Sequence, residues 1–155
     1  WLGNVYLHEL DMFVKHTLHW GDYIRYCDDF CLFGNDKGAL HTARERICEF
    51  LATRLKLTFS RASVYPVSRG VDFIGYRHFR GYVLLRKRTA NKMRRRILSI
   101  ASHNDTTALA RGRLSAAYGW SRWANTYNYR RDICHRVRGV ANPKTTAFVR
   151  RYLMG

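Results

Sequence analysis

Two adjacent carboxylates, Asp28 and Asp29, sit between runs of strand-forming residues in a chain that carries 28 Lys and Arg but only 11 Asp and Glu. Asp also favours turns for a plain reason, since its side chain bonds nearby backbone N–H groups, and that reading competes with any functional one. Context weighs the other way. Like charges placed side by side repel, and a divalent cation is the natural compensation. Hard carboxylate oxygens suit Mg²⁺, with Mn²⁺ as a substitute, in a coordination shell that keeps positions open for phosphate oxygens. A carboxylate turn beside a basic surface has the parts that two-metal phosphoryl transfer requires.

The elements that must position this pair follow from the hydrophobic pattern. Tyr6, Leu10, Phe13 and Val14 recur at helical spacing and predict an amphipathic helix over residues 5–16. Tyr23-Ile24-Arg25-Tyr26 and Phe30-Cys31-Leu32-Phe33 are rich in β-formers and predict a hairpin with Asp28-Asp29 at its tip. Gly34-Asn35-Asp36 ends it and caps the next helix, over residues 37–56, whose stripe is Leu40, Ala43, Ile47, Phe50, Leu51 and Leu55. That helix is expected to pack on a sheet. Residues 57–59 and 63–65 read as short strand pieces before Pro66. Residues 71–76 and 82–85 read as a second hairpin, turning near Arg80-Gly81. Beyond Arg88 the pattern is helical: residues 90–102, then 106–127 with Asp105 as N-cap, then shorter pieces in a tail interrupted by Pro143. The fold class expected is α+β, with residues 1–88 as one region and 89–155 as another.

Charge divides the chain more sharply than hydropathy does. Residues 1–76 hold 9 Lys and Arg against 9 Asp and Glu, whereas residues 77–155 hold 19 against 2 and so carry the whole net charge of +17. Such an imbalance repels itself and asks for a polyanion, for which nucleic acid is the default, because cations on phosphates release counterions. An anionic membrane surface would call for a basic amphipathic helix with a separate apolar face, and here Trp and Tyr are interleaved with Arg. No run approaches the ~18 apolar residues of a membrane span, and the first residues are not a secretory signal. Cys27, Cys31, Cys48 and Cys134 form no CxxC pair, which favours reduced thiols in a cytoplasmic protein over a zinc site.

Three motifs in order carry a resemblance. Arg25-Tyr26-Cys27-Asp28-Asp29-Phe30 resembles the Tyr-x-Asp-Asp motif of reverse transcriptases. Gly3-Asn4-Val5-Tyr6-Leu7-His8-Glu9-Leu10-Asp11 resembles the helix these RNA-directed DNA polymerases place just before it. Val71-Asp72-Phe73-Ile74-Gly75-Tyr76 resembles their primer-grip hairpin. The set covers residues 1 to about 88, and the basic helices after it resemble the family's thumb. Arg69 to Arg77, with Leu84-Leu85-Arg86-Lys87-Arg88, is most similar to bacterial enzymes of the diversity-generating retroelement type, with the group II intron type next.

The resemblance implies a partial palm of antiparallel hairpins packed on helices, followed by a helical thumb. It implies that Asp28 is a metal ligand and that Asp29 either coordinates or holds the turn. Tyr26 and Cys27 would lie near the primer terminus, or be ordinary strand residues. Phe73, Ile74, Gly75 and Tyr76 would form the primer grip, with Gly75 letting the backbone approach a sugar-phosphate; the alternative is a Gly-containing bulge. The implied partners are an RNA template, a DNA primer, dNTP and a basic accessory protein. Two departures matter. The family's third carboxylate, on an upstream palm strand, has no counterpart here, nor do the fingers, so the chain is expected to be a piece of a longer protein and inactive alone. Where the family has a Lys, this chain has Arg61, whose guanidinium is a poor proton donor.

In the basic region, Arg86, Lys87, Arg88, Lys92, Arg94, Arg95, Arg96, Arg122, Arg130 and Arg131 are the candidate phosphate contacts. The consecutive Arg94, Arg95 and Arg96 cannot all face one way. Trp120 and Trp123, three apart, read as helix-packing core rather than stacking platforms. Tyr127 and Tyr129, in a polar basic stretch, read as stacking residues. The competing function is a non-catalytic basic RNA- or DNA-binding module, a splicing-cofactor-like relic of a polymerase. Against it stands the intact Asp28-Asp29 pair, which an RNA binder has no electrostatic reason to keep.

Overall fold

The computed structural model describes residues 2–154 and is α+β, in two compact units that divide between Pro66 and Val67. Sequence reading put the boundary between residues 88 and 89. The division at Pro66 also separates the charge, leaving residues 1–66 neutral and residues 67–155 with the whole +17.

In the N-terminal unit, α1 (Leu2–Tyr6) and α2 (His8–Met12) run into a π-helical turn, Phe13–Thr17. The expected single helix is thus broken at Leu7 and ends in wider hydrogen bonding, with the Leu18 amide donating to the Phe13 carbonyl at 3.0 Å. Strands β1 (Tyr23–Tyr26) and β2 (Asp29–Leu32) form an antiparallel pair with Tyr26 opposite Asp29. Helix α3 (Lys37–Arg54) starts at Asp36, whose carboxylate accepts from the Gly38 and Ala39 amides. Its stripe is as expected: Ala43, Ile47, Leu51 and the following Leu55 are buried. Ile47, Leu51 and Leu55 close a core with Leu10 and Val14, and Tyr23, Phe30 and Leu32 of the hairpin pack against it. The inward face of the hairpin is therefore Tyr23, Arg25, Phe30 and Leu32. The expected strand pieces at 57–59 and 63–65 are irregular, with no partner strand to pair with and Pro66 unable to donate.

The C-terminal unit opens with a three-stranded antiparallel meander: β3 (Val71–Phe73), β4 (Tyr76–His78) and β5 (Val83–Leu85). Residues 71–76 are not one strand, because a two-residue turn at Ile74-Gly75 falls inside them, with Phe73 opposite Tyr76. Both turn residues have positive φ, 49° and 80°, as a type I′ hairpin demands. Four helices follow: α4 (Lys87–Ser102), α5 (Ala108–Ser121), α6 (Tyr127–Arg138) and α7 (Pro143–Met154). Their core joins Met93, Ile97, Ile100, Ala110, Leu114, Ile133, Val137, Val149 and Leu153.

Three expectations are corrected here. Thr107, not Asp105, is the N-cap of α5, its hydroxyl accepting from the Ala110 amide; Asp105 accepts from the Thr107 amide one turn earlier. The helix expected over 106–127 stops at Ser121 and restarts at Tyr127. Pro143 does not interrupt the tail but opens α7, where its missing N–H costs nothing, and Asn142 caps the Thr145 amide at 2.8 Å.

Candidate functional site

The carboxylate turn is built by a register. Since Tyr26 pairs with Asp29, only Cys27 and Asp28 remain for the turn, and Cys27 takes the left-handed conformation at φ 53°. Asp28 is thereby lifted to the tip of the hairpin and Asp29 begins the returning strand, both exposed. Neither carboxylate has a hydrogen bond or ion pair among the described residues. Most of the other Asp residues differ: Asp11, Asp72 and Asp132 are ion-paired, and Asp36 and Asp105 bond backbone amides, while Asp22 alone shares the unpartnered state among the described residues. Tyr26 is more than half exposed and Cys27 is exposed, so neither is held in the core. Cys31, two residues past Asp29 on the same strand face, has its thiol pushed up by burial and secondarily by the Asp29 charge.

Beneath the turn lies a clamp that sequence reading missed. Arg25 faces inward on β1 and donates from Nε to Asp11 Oδ1 at 2.7 Å and from a terminal nitrogen to Asp11 Oδ2 at 2.5 Å. Its other terminal nitrogen donates to the Cys27 carbonyl at 2.8 Å. Tyr23 completes the set, its hydroxyl donating to Asp11 Oδ1 at 2.8 Å. One guanidinium thus ties α2 to the hairpin and fixes the carbonyl just before Asp28. The Arg25 side chain is 13% exposed and that of Asp11 20%. The Arg25 hydrogen bonds are the main cause holding the Asp11 carboxyl below its usual range, while burial, then Asp11, raises the Tyr23 hydroxyl. The signal was present in the alternation. A cation on the inward face of a strand needs a buried partner.

Asp28 and Asp29 offer hard oxygen donors free of other partners, which fits part of a Mg²⁺ ligand set. Among the described residues no cluster of three or more His, Cys, Asp or Glu side chains could hold a metal ion.

In the C-terminal unit, the meander carries the four residues compared with a primer grip. Ile74 is exposed at the turn, and Phe73 is half-buried. Gly75 does admit a close approach, but the group that makes it is Trp120: a Cβ on Gly75 would lie 2.7 Å from that ring. Tyr76 stacks on the same indole with centroids 5.4 Å apart and donates its hydroxyl to the Trp120 carbonyl at 2.9 Å. Trp120 therefore packs, though on the meander rather than between helices. Trp123 does not pack at all, being 74% exposed, which overturns its expected core role.

The candidate cations separate into two groups. Arg86 is directed to Asp72 at 3.7 Å, Arg94 to Asp132 at 3.9 Å, and Arg130 donates to the Leu153 carbonyl at 2.8 Å, and the Nε atoms of all three are buried. Each thus has a contact within the fold, while the Arg86 and Arg94 side chains remain 37% and 35% exposed. Lys87, Arg88, Lys92, Arg95, Arg96, Arg122 and Arg131 are exposed and make no ion pair among the described residues. Tyr129 is half-buried: it donates its hydroxyl to the Ala90 carbonyl at 2.5 Å, and burial raises that hydroxyl to about 12. Tyr127 stays exposed. Sequence reading missed Arg138, Arg150 and Arg151, which line an open groove floored by Ala141, Pro143, Ala147 and Met154. No helix among the described residues is long and apolar enough to cross a membrane. No protein-family model matches the chain, and no curated protein matches it either.

Proposed function

We propose that this chain is the C-terminal part of an RNA-directed DNA polymerase, with the β1–β2 tip as half of a two-metal site and the basic unit as its grip on primer–template. The observation that carries the reading is a pair of exposed, unpartnered carboxylates at a hairpin tip, in a chain whose other structured half is a strongly basic helical domain. Asp28, with Asp29 beside it, would hold Mg²⁺ together with a carboxylate supplied from outside this chain. That ion supplies the chemistry of lowering the pKa of a primer 3′-hydroxyl and offsetting charge on the transferring phosphoryl group. The chain's own contribution is placement. Arg25 fixes the Cys27 carbonyl, the two-residue turn fixes Asp28, and the basic unit supplies cations for the phosphates of an RNA template and DNA primer.

The competing module reading leaves Asp28 and Asp29 without a task, since unpaired carboxylates repel phosphates. On the polymerase reading, Asp28→Asn removes nucleotide incorporation while leaving primer–template affinity within about twofold, because Asp28 acts on the transition state and not on the bound duplex. Incorporation and a binding titration are run side by side on the chain complemented with an upstream polymerase half bearing fingers and the other carboxylate. Near-normal incorporation by the Asn variant sinks the assignment. Equal loss of binding and incorporation favours the module reading.

A further inference from the structure

We propose that the corner between α5 and α6 is a stacking platform for the unpaired bases of a single-stranded nucleic acid, with Trp123 and Tyr127 as its rings. This rests on the nucleic-acid reading of the C-terminal unit and is independent of any metal chemistry at Asp28.

The corner is unusually well fixed for a connection. Ser121 and Thr126, at its two ends, are buried, and the Thr126 hydroxyl donates to the Ser121 carbonyl at 2.6 Å. Between them Asn125 pairs with β5 as a further strand would: its amide donates to the Val83 carbonyl at 2.7 Å, and its side-chain oxygen accepts from the Val83 amide at 3.1 Å. Trp123 projects from this pinned loop and Tyr127 opens the next helix, 74% and 58% exposed. The packing that accounts for Trp120 in the same segment accounts for neither ring.

Both rings are dressed with a cation. The Arg122 guanidinium lies 5.9 Å from the Trp123 ring centroid, and that of Arg131 lies 5.8 Å from Tyr127. Neither Arg has a carboxylate partner among the described residues. An exposed ring with a guanidinium beside it offers a base a stacking face and its phosphate a countercharge. The net +17 of the unit selects a polyanion and disfavours a second copy of this chain. Within nucleic acids the rings select unpaired bases, because bases in a duplex already stack on one another. With the backbone of the corner pinned before binding, only the two side chains need be ordered on contact.

The test measures affinity for a labelled single-stranded oligothymidylate and for a duplex of equal length, at one salt concentration. Trp123→Ala and Tyr127→Ala should each weaken the single-strand complex by roughly 5- to 150-fold, the range for one lost stacking contact. Duplex affinity should stay within about twofold and the salt slope should not change. Trp123→Phe should recover most of the single-strand affinity, and matched thermal melts show that the fold is intact. Unchanged single-strand binding by both Ala variants overturns the proposal. So does an equal loss on strand and duplex, or self-association lost in Trp123→Ala with strand binding retained, which would assign the ring to a second copy. Failure of primer extension leaves this proposal standing, and failure of stacking leaves the assignment of Asp28 standing.

Discussion

Arg25 shows how much one side chain decides near the carboxylate turn. Its guanidinium fork spends two bonds on Asp11 and one on the Cys27 carbonyl, a geometry that a lysine ammonium cannot reproduce. Asp11→Asn should cost about 2 kcal/mol of stability, the usual worth of charge-assisted hydrogen bonds that are mostly shielded from water. The pH dependence has a definite sign. Because the folded Asp11 carboxyl is depressed below its ordinary 3.8, the clamp is fully present above that value and is lost as pH falls through the folded one. Urea unfolding across the acid range should therefore show a limb that Asp11→Asn flattens; an unchanged limb would place the acid sensitivity elsewhere. Ile74 makes the second case. A β-branched residue at φ 49° is strained, and Ile74→Gly should stabilise the C-terminal unit by about 1 kcal/mol. If the exposed Ile74 side chain grips a primer, the same variant should bind primer–template more weakly while melting higher. A gain in both would remove Ile74 from the grip.

At the level of elements, the parts legible in the sequence were those whose causes are local. Asp36 capped α3, the stripe from Ala43 to Leu55 faced the core, and the Tyr23 and Phe30 runs formed a hairpin with Asp28 at its tip. The parts that escaped depend on distant partners. Within residues 106–127 the local signal for a break is only Asn125-Thr126, residue types that favour a helix start over a helix interior; what fixes the break is Asn125 bonding Val83, 42 residues away. Likewise the turn at Ile74-Gly75 lacks the Asn-Gly signature, and Gly75 is explained by Trp120. Of the candidate site, Asp28 and Asp29 were legible as a pair, whereas the intramolecular contacts of Arg86, Arg94 and Arg130 were not, because arginines that touch the fold and arginines left free for a ligand look alike in a sequence. Among the described residues the β1–β2 sheet has two strands and neither edge has a ladder partner, and Ile24 and Tyr26 are exposed on one face. Such a surface templates association. Sedimentation of the chain should show concentration-dependent oligomers that Ile24→Lys disperses without lowering the melting temperature. Oligomers that persist in that variant would locate the contact elsewhere.

For the molecule as a whole, a neutral carboxylate-bearing unit is joined to one with a net charge of +17. With six or more phosphates contacted, duplex affinity should fall by roughly three orders of magnitude between about 50 and 200 mM salt. Arg95→Ala should reduce the slope of log affinity against log salt by about one, since Arg95 is exposed and makes no ion pair among the described residues. Arg130→Ala should leave the slope alone and lower the stability of the unit instead, because its guanidinium is committed to the Leu153 carbonyl and lies 5.5 Å from the Tyr118 ring. The central claim is that Asp28 supplies one side of a two-metal site whose other side comes from another polypeptide segment. Primer extension on an RNA template tests it most directly, with the chain assayed alone and then with an upstream polymerase half added in trans, in Mg²⁺ and in Mn²⁺. The claim predicts no extension by the chain alone in either metal, and extension in the mixture that depends on Asp28. Extension by the chain alone, or by a mixture carrying Asp28→Asn, would contradict it.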